Sequence, residues 1–319
     1  MELRQLRHWV NVVQTGSFTA AAARQGVAQP AVSMAIRNLE KQLGVTLLDR
    51  NEKYIRPTPE GQQLLPHALR MLQEAAAAEE ALAELQGLNR GEVSLGLPSM
   101  LGSYFFPPIL MAFKHRYPDL KMTVQEAGTR RLQQMLRQGE LNVGVIVADQ
   151  VEDDLESQLF LREEMVVCVP KDHPLAQQPH VSFETFFTHD LVLFKTGYFH
   201  REFIEQIARQ VGASPRIDFE SNLIQLTKSI IRHGFGITVF LRMVIEEDDD
   251  LVAVPFSEPV YLDLSIAWKR DGHRSLANRA FVDFLLQNSP LRHSTDHTVN
   301  PTTVHTQPFT QPHSHTPSR

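Results

Sequence analysis

Apolar residues at Leu3, Leu6, Val10 and Val13 recur with the period of a helix, and Thr15-Gly16 stops the pattern. Ser17 suits the N-cap of a second helix from Phe18 to Gln25. Its Ala20-Ala21-Ala22-Ala23 run lets another helix approach closely before Gly26 ends it. After the turn Gly26-Val27-Ala28, Pro30 stands at the start of a third helix, where proline is tolerated. Val32, Ile36, Leu39 and Leu43 form the inward stripe of that helix, which stops at Gly44. Two short helices joined by a three-residue turn predict a helix-turn-helix. Beyond Gly44, Val45 to Arg50 and Tyr54 to Pro57 flank the polar tip Asn51-Glu52-Lys53 and read as a small hairpin wing.

The outer face of the third helix carries Gln29, Ser33, Met34, Arg37 and Lys41. Such groups reach base edges and phosphates in a major groove about 12 Å wide, although any solvated helix face has a similar composition. The helix-turn-helix context favours the nucleic-acid reading. On the wing, Arg50, Lys53 and Arg56 supply three cations suited to a phosphate backbone, which serve affinity more than sequence choice.

Thr58 caps a long helix with Pro59 at its first position, running to about Gln86, with Pro66 inside it as an expected kink. Leu65, Ala68, Leu72, Ala75, Glu79 and Leu82 give a narrow, near-heptad seam, and Ala75 to Ala78 allow close helix approach. The seam predicts pairing with a second copy; an isolated solvated helix is the alternative. Gly87-Leu88-Asn89-Arg90-Gly91 reads as a hinge.

Past the hinge, strand and helix alternate. Strands are expected at Val93–Leu97, Met122–Gln125 and Leu141–Val147, with helices at about Tyr104–Arg116 and Thr129–Gln138. A second set has strands at Met165–Val169, Leu191–Phe194, Arg216–Phe219 and Ile237–Phe240, with helices at about Phe199–Val211 and Leu223–His233. The alternating segment Tyr261–Ile266 and a helix over Leu276–Gln287 close the domain. The alternation predicts a mainly parallel α/β sheet, and two successive sets predict two lobes with a cleft between them.

Charge changes this picture in one respect. The chain of 319 residues has a formal net charge of −6, which argues against nucleic acid if spread evenly. Residues 1–60, however, hold eight Lys/Arg against five Asp/Glu, a balance of +3, whereas residues 92–290 hold nineteen against twenty-seven, a balance of −8. A basic head on an acidic body suits a DNA-contacting module fused to a non-contacting one. The one cysteine, Cys168, lies in the apolar run Met165–Val169 and reads as a buried structural thiol rather than a reactive sensor.

Several linked motifs, in order and correctly spaced, resemble the LysR-type transcriptional regulator family. They are Gly16-Ser17-Phe18-Thr19-Ala20-Ala21-Ala22, Gln29-Pro30-Ala31-Val32-Ser33, Leu39-Glu40-Lys41-Gln42-Leu43-Gly44, Leu47-Leu48-Asp49-Arg50 and Thr58-Pro59-Glu60-Gly61. Leu48 stands where the family often has phenylalanine, and Asn51-Glu52 where a more basic tip is common. The resemblance implies an N-terminal all-α winged helix-turn-helix over 1–58 and a dimerising linker helix with hinge over 59–91. It implies a two-lobed α/β effector domain, similar to periplasmic binding proteins, over 92–290. Lobe one is then 92–163 and 268–290, and lobe two 164–267. The DNA-contacting set it implies is Ser17, Thr19, Gln29, Pro30, Ala31, Ser33, Met34, Arg37, Arg50, Lys53 and Arg56. Expected partners are a double-stranded DNA operator, a small-molecule effector with a carboxylate, RNA polymerase, and further copies in a homodimer or homotetramer.

In α/β lobes, ligands sit at the carboxyl ends of strands, where helix N-termini offer free N–H groups. Three turns qualify: Leu97 to Ser103, Ala127-Gly128-Thr129 and Phe194 to Tyr198. These turns supply Ser99, Met100, Gly102, Thr129, Lys195 and Thr196 as effector-binding candidates, with Lys195 a counter-charge for an acid if it points inward; the family resemblance implies that Ser99, Thr129, Thr196, Asn222 and Phe235 line the effector cleft. Each could equally serve only as a cap or turn residue. The acidic run Glu246-Glu247-Asp248-Asp249-Asp250 reads as a solvated loop. Residues 291–319, rich in Thr, His, Pro and Gln, read as a disordered tail, and no ligand spacing among His293, His297, His305, His313 and His315 defines a metal site.

No nucleophile elbow, phosphate-binding glycine loop, zinc-type His/Glu spacing or partner for the Cys168 thiol is present in the sequence, so no catalysis and no cofactor are expected. No run reaches the roughly 20 apolar residues that span a bilayer, and no secretory apolar core follows Met1, which predicts a cytoplasmic protein without membrane contact. A transporter's solute-binding protein is the rival reading; it requires export and has no use for a basic head.

Overall fold

The computed structural model describes residues 1–50, 55–84, 91–148, 151–272 and 274–293. The head begins with α1 (Leu3–Thr15), α2 (Phe18–Gln25) and α3 (Gln29–Leu43). Gly16, Gly26 and Gly44 end them with φ of 65°, 65° and 71°, the left-handed conformation that glycine adopts without a Cβ penalty. The Ser17 hydroxyl accepts the Ala20 N–H at 3.3 Å and caps α2 as expected. Leu6, Trp9, Val10 and Val12 close on Ala21, Ala22, Val32, Ile36 and Leu39 to make a small core. Leu43, expected on the inward stripe, is 38% exposed, because α3 has run past its neighbours by that point.

The wing consists of β1 (Leu48–Asp49) and β2 (Arg56–Pro57), antiparallel with Leu48 opposite Pro57. Its expected tip, with Lys53, lies outside the described residues. The linker helix α4 (Pro59–Glu84) runs through Pro66, and the Thr58 hydroxyl accepts the Gly61 N–H at 3.1 Å. Its seam divides. Ala68 is fully buried in the head's own core, and Leu65 and Leu72 pack against it. Ala75, half-buried, and Leu82, exposed, are the apolar seam positions outside that core.

The larger domain opens with β3 (Glu92–Leu97), α5 (Ser99–Tyr104), α6 (Phe106–Arg116), β4 (Lys121–Glu126), α7 (Thr129–Gln138) and β5 (Val143–Val147). It continues with β6 (Leu155–Pro170), α8 (Phe183–Phe186), β7 (Asp190–Leu193), α9 (Phe199–Gln210), β8 (Arg216–Glu220), α10 (Ile224–Arg232), β9 (Thr238–Leu241), β10 (Leu251–Lys269) and α11 (Leu276–Gln287). The principal sheet has the order β4-β3-β5-β10-β6-β9, and β7 pairs with β8. Backbone bonds between Ile237 and the Asp190–Val192 segment attach that pair to the approach to β9.

The expectation of a mainly parallel sheet is corrected. β3 is parallel to β4 and β5, and β7 to β8, but β10 runs antiparallel to both β5 and β6, and β6 to β9. The short expected strands at Met165–Val169 and Tyr261–Ile266 are parts of strands of 16 and 19 residues. These two carry the chain from the half built on β3–β5 to the half built on β7–β9 and back. Their paired ladder replaces two of the crossover helices that a parallel sheet needs. α11 then returns to the first half, where Phe281 packs edge-on against Phe113 at 5.1 Å. Cys168 is fully buried in β6, where burial pushes its thiol up to about 12 and leaves it inert as a nucleophile.

Candidate DNA-reading face and inter-lobe cleft

On α3, Gln29, Pro30, Ala31, Met34 and Arg37 are exposed and Ser33 is half-buried, whereas Val32, Ile36 and Leu39 are buried. Thr19 is exposed and Ser17 half-buried at the start of α2. The accessible candidates therefore lie at the start of α2 and along α3. The wing is held to α3 through a residue without an assigned role in the sequence reading. Glu40 accepts the Leu47 N–H at 2.9 Å and the Arg50 guanidinium at 2.7 Å, while Arg50 also lies 5.8 Å from the Phe18 ring. Arg50 thus braces the wing as well as offering charge. Arg56 is exposed on β2.

In the larger domain, a cavity of about 60 Å³ lies between the two halves. Ser99, Met100 and Thr129 line it, together with Gly128, Phe194, Tyr198, Phe199, His200, Phe240 and Leu264. Ser99 is not in an open turn, as expected, but is the first residue of α5. Gly102, Lys195, Thr196, Asn222 and Phe235 are not brought to this lining. Lys195 is exposed, with its backbone N–H donating to Asn222 Oδ1 at 2.9 Å, and Phe235 is 61% exposed.

The halves meet tightly at this point. A Cβ on Gly128 would collide with the Gly197 carbonyl, so only glycine permits the approach. Tyr198 donates to Glu126 at 3.1 Å, Arg130 pairs with Glu202 at 2.8 Å, and Gln225 donates to the Tyr104 hydroxyl at 3.2 Å. Burial, with the Glu126 carboxylate, pushes the Tyr198 phenol up, which keeps its proton in place for that bond. The residues that cap α7 and α9, Gly128 and Tyr198, come together at the contact. The first helical bonds run from Leu132 to Gly128 and from Arg201 to Tyr198, so the N–H groups that begin α7 and α9 have no helical acceptor. Such ends attract anions.

Three features of the cleft region went unread in the sequence. His200 is buried, lines the cavity, and has its Nε2 without a hydrogen-bond partner. Burial, helped by the Arg201 charge, pushes its pKa down to about 3, so the ring is neutral. Arg201 is itself buried and satisfied by Glu205, Glu220 and the Phe194 carbonyl. Asp248, read as part of a solvated loop, has a buried side chain paired with Lys228 at 3.1 Å and Arg232 at 2.6 Å. Burial works to raise its pKa, but the bonds from Lys228, the Asp250 N–H and Arg232 outweigh that and hold it below the usual carboxylate range. The Lys228 ammonium in turn lies 5.0 Å from the Tyr104 ring on the opposite half.

A wing-bearing helix-turn-helix, a long linker helix and a two-lobed α/β domain with a cleft define a class of ligand-switched DNA-binding regulator. The family of bacterial regulatory helix-turn-helix proteins of the lysR type matches residues 3–62, and the LysR substrate binding domain matches residues 86–290. The chain belongs to the LysR family of DNA-binding transcriptional regulators, which carry an effector-binding domain. It is similar to the dual regulator GltC of Bacillus subtilis, 28% identical over 90% of this chain and 97% of GltC. It is also similar to a probable RuBisCO transcriptional regulator of Cyanidioschyzon merolae, 31% identical over 73% of this chain and 79% of that protein. Full-length OxyR of Pseudomonas aeruginosa shares the fold, with a TM-score of 0.71 and 24% identity over 94% of this chain and 99% of that one. CbnR in complex with its target DNA shares it with a TM-score of 0.64 and 21% identity over 90% of this chain and 99% of CbnR. Among the described residues, no helix is long and apolar enough to cross a membrane, and no group of three or more His, Cys, Asp or Glu could hold a metal.

Proposed function

We propose that this regulator reads its operator with α3 and is switched by a small organic acid held between the lobes. The observation that carries the first part is the accessible surface of α3, where Gln29 and Arg37 are exposed and Ser33 is half-buried while Val32, Ile36 and Leu39 are buried. Gln29, Ser33 and Arg37 contact base edges; Ser17, Thr19, Pro30, Ala31 and Met34 complete the face; Arg50, Lys53 and Arg56 hold phosphates. CbnR crystallised with its target DNA supports a like mode of docking. Two chains pair through Ala75–Ala78 and Leu82 of α4, setting two copies of α3 in successive major grooves about 34 Å apart or at multiples of that. Pairing of dimers into a tetramer through the effector domains adds affinity by local concentration.

The acid lies in the cleft with its carboxylate toward the N–H groups opening α7 and α9, beside Ser99, Met100 and Thr129. Gly102, Thr196, Asn222, Phe235 and Lys195 act from outside the lining, Lys195 by attraction at the rim. The lobes divide within the two long strands, at 163/164 and 267/268. Ligand-driven closure changes the spacing of the heads and so the contact with RNA polymerase in the cytoplasm. The protein performs no catalysis. Thr129→Val or Ser99→Ala weakens the effector response of promoter binding while leaving basal operator affinity intact; an unchanged response overturns the cleft assignment.

A further inference from the structure

The cleft holds one polar group that the organic-acid reading leaves unused. His200 sits at the start of α9, more than nine-tenths buried, in the lining of the 60 Å³ cavity. Its ring stands edge-on to Phe194 at 3.9 Å between centroids, and its Nε2 has no hydrogen-bond partner. A buried polar atom left unpaired is a standing cost to the folded chain, and such atoms are rare unless something else pairs with them.

The electrostatics narrow what that something is. The ring is neutral, so it offers a carboxylate no positive charge. The nearby cations are committed: Arg201 to Glu205 and Glu220, Arg130 to Glu202, Lys228 to Asp248. Charge in the ligand is thus met by the N–H groups opening α7 and α9, while a neutral imidazole nitrogen is suited to a hydroxyl, which can donate to it or accept from it according to tautomer. The cavity, at about 60 Å³, is small beside the few hundred Å³ usual for ligand pockets, which favours a ligand of few atoms.

We propose that His200 is a specificity-determining residue of the cleft and that it selects a compact hydroxy acid, pairing with the hydroxyl while the helix ends take the carboxylate. This inference rests on the cleft being the effector site, and its test separates the two. Glycolate, acetate and glycolamide form a matched set: acetate lacks the hydroxyl and glycolamide lacks the charge. On the full-length protein, glycolate raises the melting temperature at a concentration at least tenfold below that needed for acetate or glycolamide. In His200→Leu the advantage of glycolate over acetate disappears, and the unliganded protein melts at the same temperature or a few degrees higher, since an unpaired polar atom has been removed. In Thr129→Val both acids lose their effect. In protein labelled with 15N-histidine, the ring signals absent from His200→Leu report neutral imidazole and shift with glycolate but not with acetate.

Equal response to glycolate and acetate in the wild type, or an undiminished glycolate preference in His200→Leu, overturns the role of His200 and leaves the cleft reading standing. No response to any of the three overturns the compact-acid site itself.

Discussion

The proposed DNA-reading face is centred on one helix of 15 residues, whereas the cleft gathers residues as far apart in the chain as Ser99 and Leu264. The face points to solvent and its side chains are set by helical periodicity alone, with Val32, Ile36 and Leu39 buried and Arg37 therefore outward. The cleft points inward, and whether a side chain reaches it depends on how two halves close across β6 and β10. One site follows from local chemistry; the other depends on long-range closure, and on a glycine contact at Gly128 that no periodicity announces. It also follows that the two sites can be damaged independently.

The largest effect tests that independence from the cleft side. Asp248→Ala strands the buried Lys228 ammonium without its partner and destabilises the effector domain by about 3–5 kcal/mol, the usual cost of breaking a buried pair from one side. Calorimetry then shows the larger domain melting earlier and the head unaffected; a head transition that moves with it breaks the separation. On the head side, Arg37→Ala weakens operator binding by about 1–3 kcal/mol and relaxes preference at one base position, with the effector domain's melting unchanged. Fluorescence anisotropy against operator variants measures both.

The cleft half carries acid-sensitive groups. His200 has a folded-state pKa of about 3, below its ordinary value near 6.5, so the unfolded chain takes up the proton first. Stability conferred by the neutral ring is complete above pH 6.5 and is lost as pH falls from there toward 3, by about 1.4 kcal/mol per unit. Burial likewise pulls His173 and His189 down, adding to the same limb. Denaturant titrations between pH 7 and 4.5 reveal this slope, which His200→Leu reduces. The smallest effect is on the wing. Arg50→Ala costs under about 1 kcal/mol of DNA affinity, uniformly across sequences, and lowers the salt slope by about one, since Arg50 shares its guanidinium with Glu40.

How far each site could be read in the sequence follows from the same contrast. The three head helices, their caps at Ser17, Gly16, Gly26 and Gly44, and the outward set on α3 are local and were legible. The role of Glu40 was not, because its partners at Leu47 and Arg50 lie beyond a turn. In the larger domain the alternation gave most elements but not the direction of β10, since a strand's pairing sense is fixed by its neighbours rather than by its own residues. Ser99, Met100 and Thr129 were reachable from strand ends. Lys195 was the natural guess for a counter-charge, yet the turn leaves it in solvent, and the buried polar residue is His200, five positions on at the helix start. The pairing of Asp248 with Lys228 was hidden because a run of five acidic residues looks solvated until the fold buries one of them.

Capture of sheared genomic DNA by the purified full-length protein, in the presence of excess random competitor at moderate ionic strength, tests the central claim most directly. The account predicts recovery of a small set of fragments sharing a partly palindromic site, with Arg37→Ala recovering them less well and Thr129→Val recovering them equally. Fragments recovered in proportion to their abundance, with no common site with or without glycolate, would contradict it.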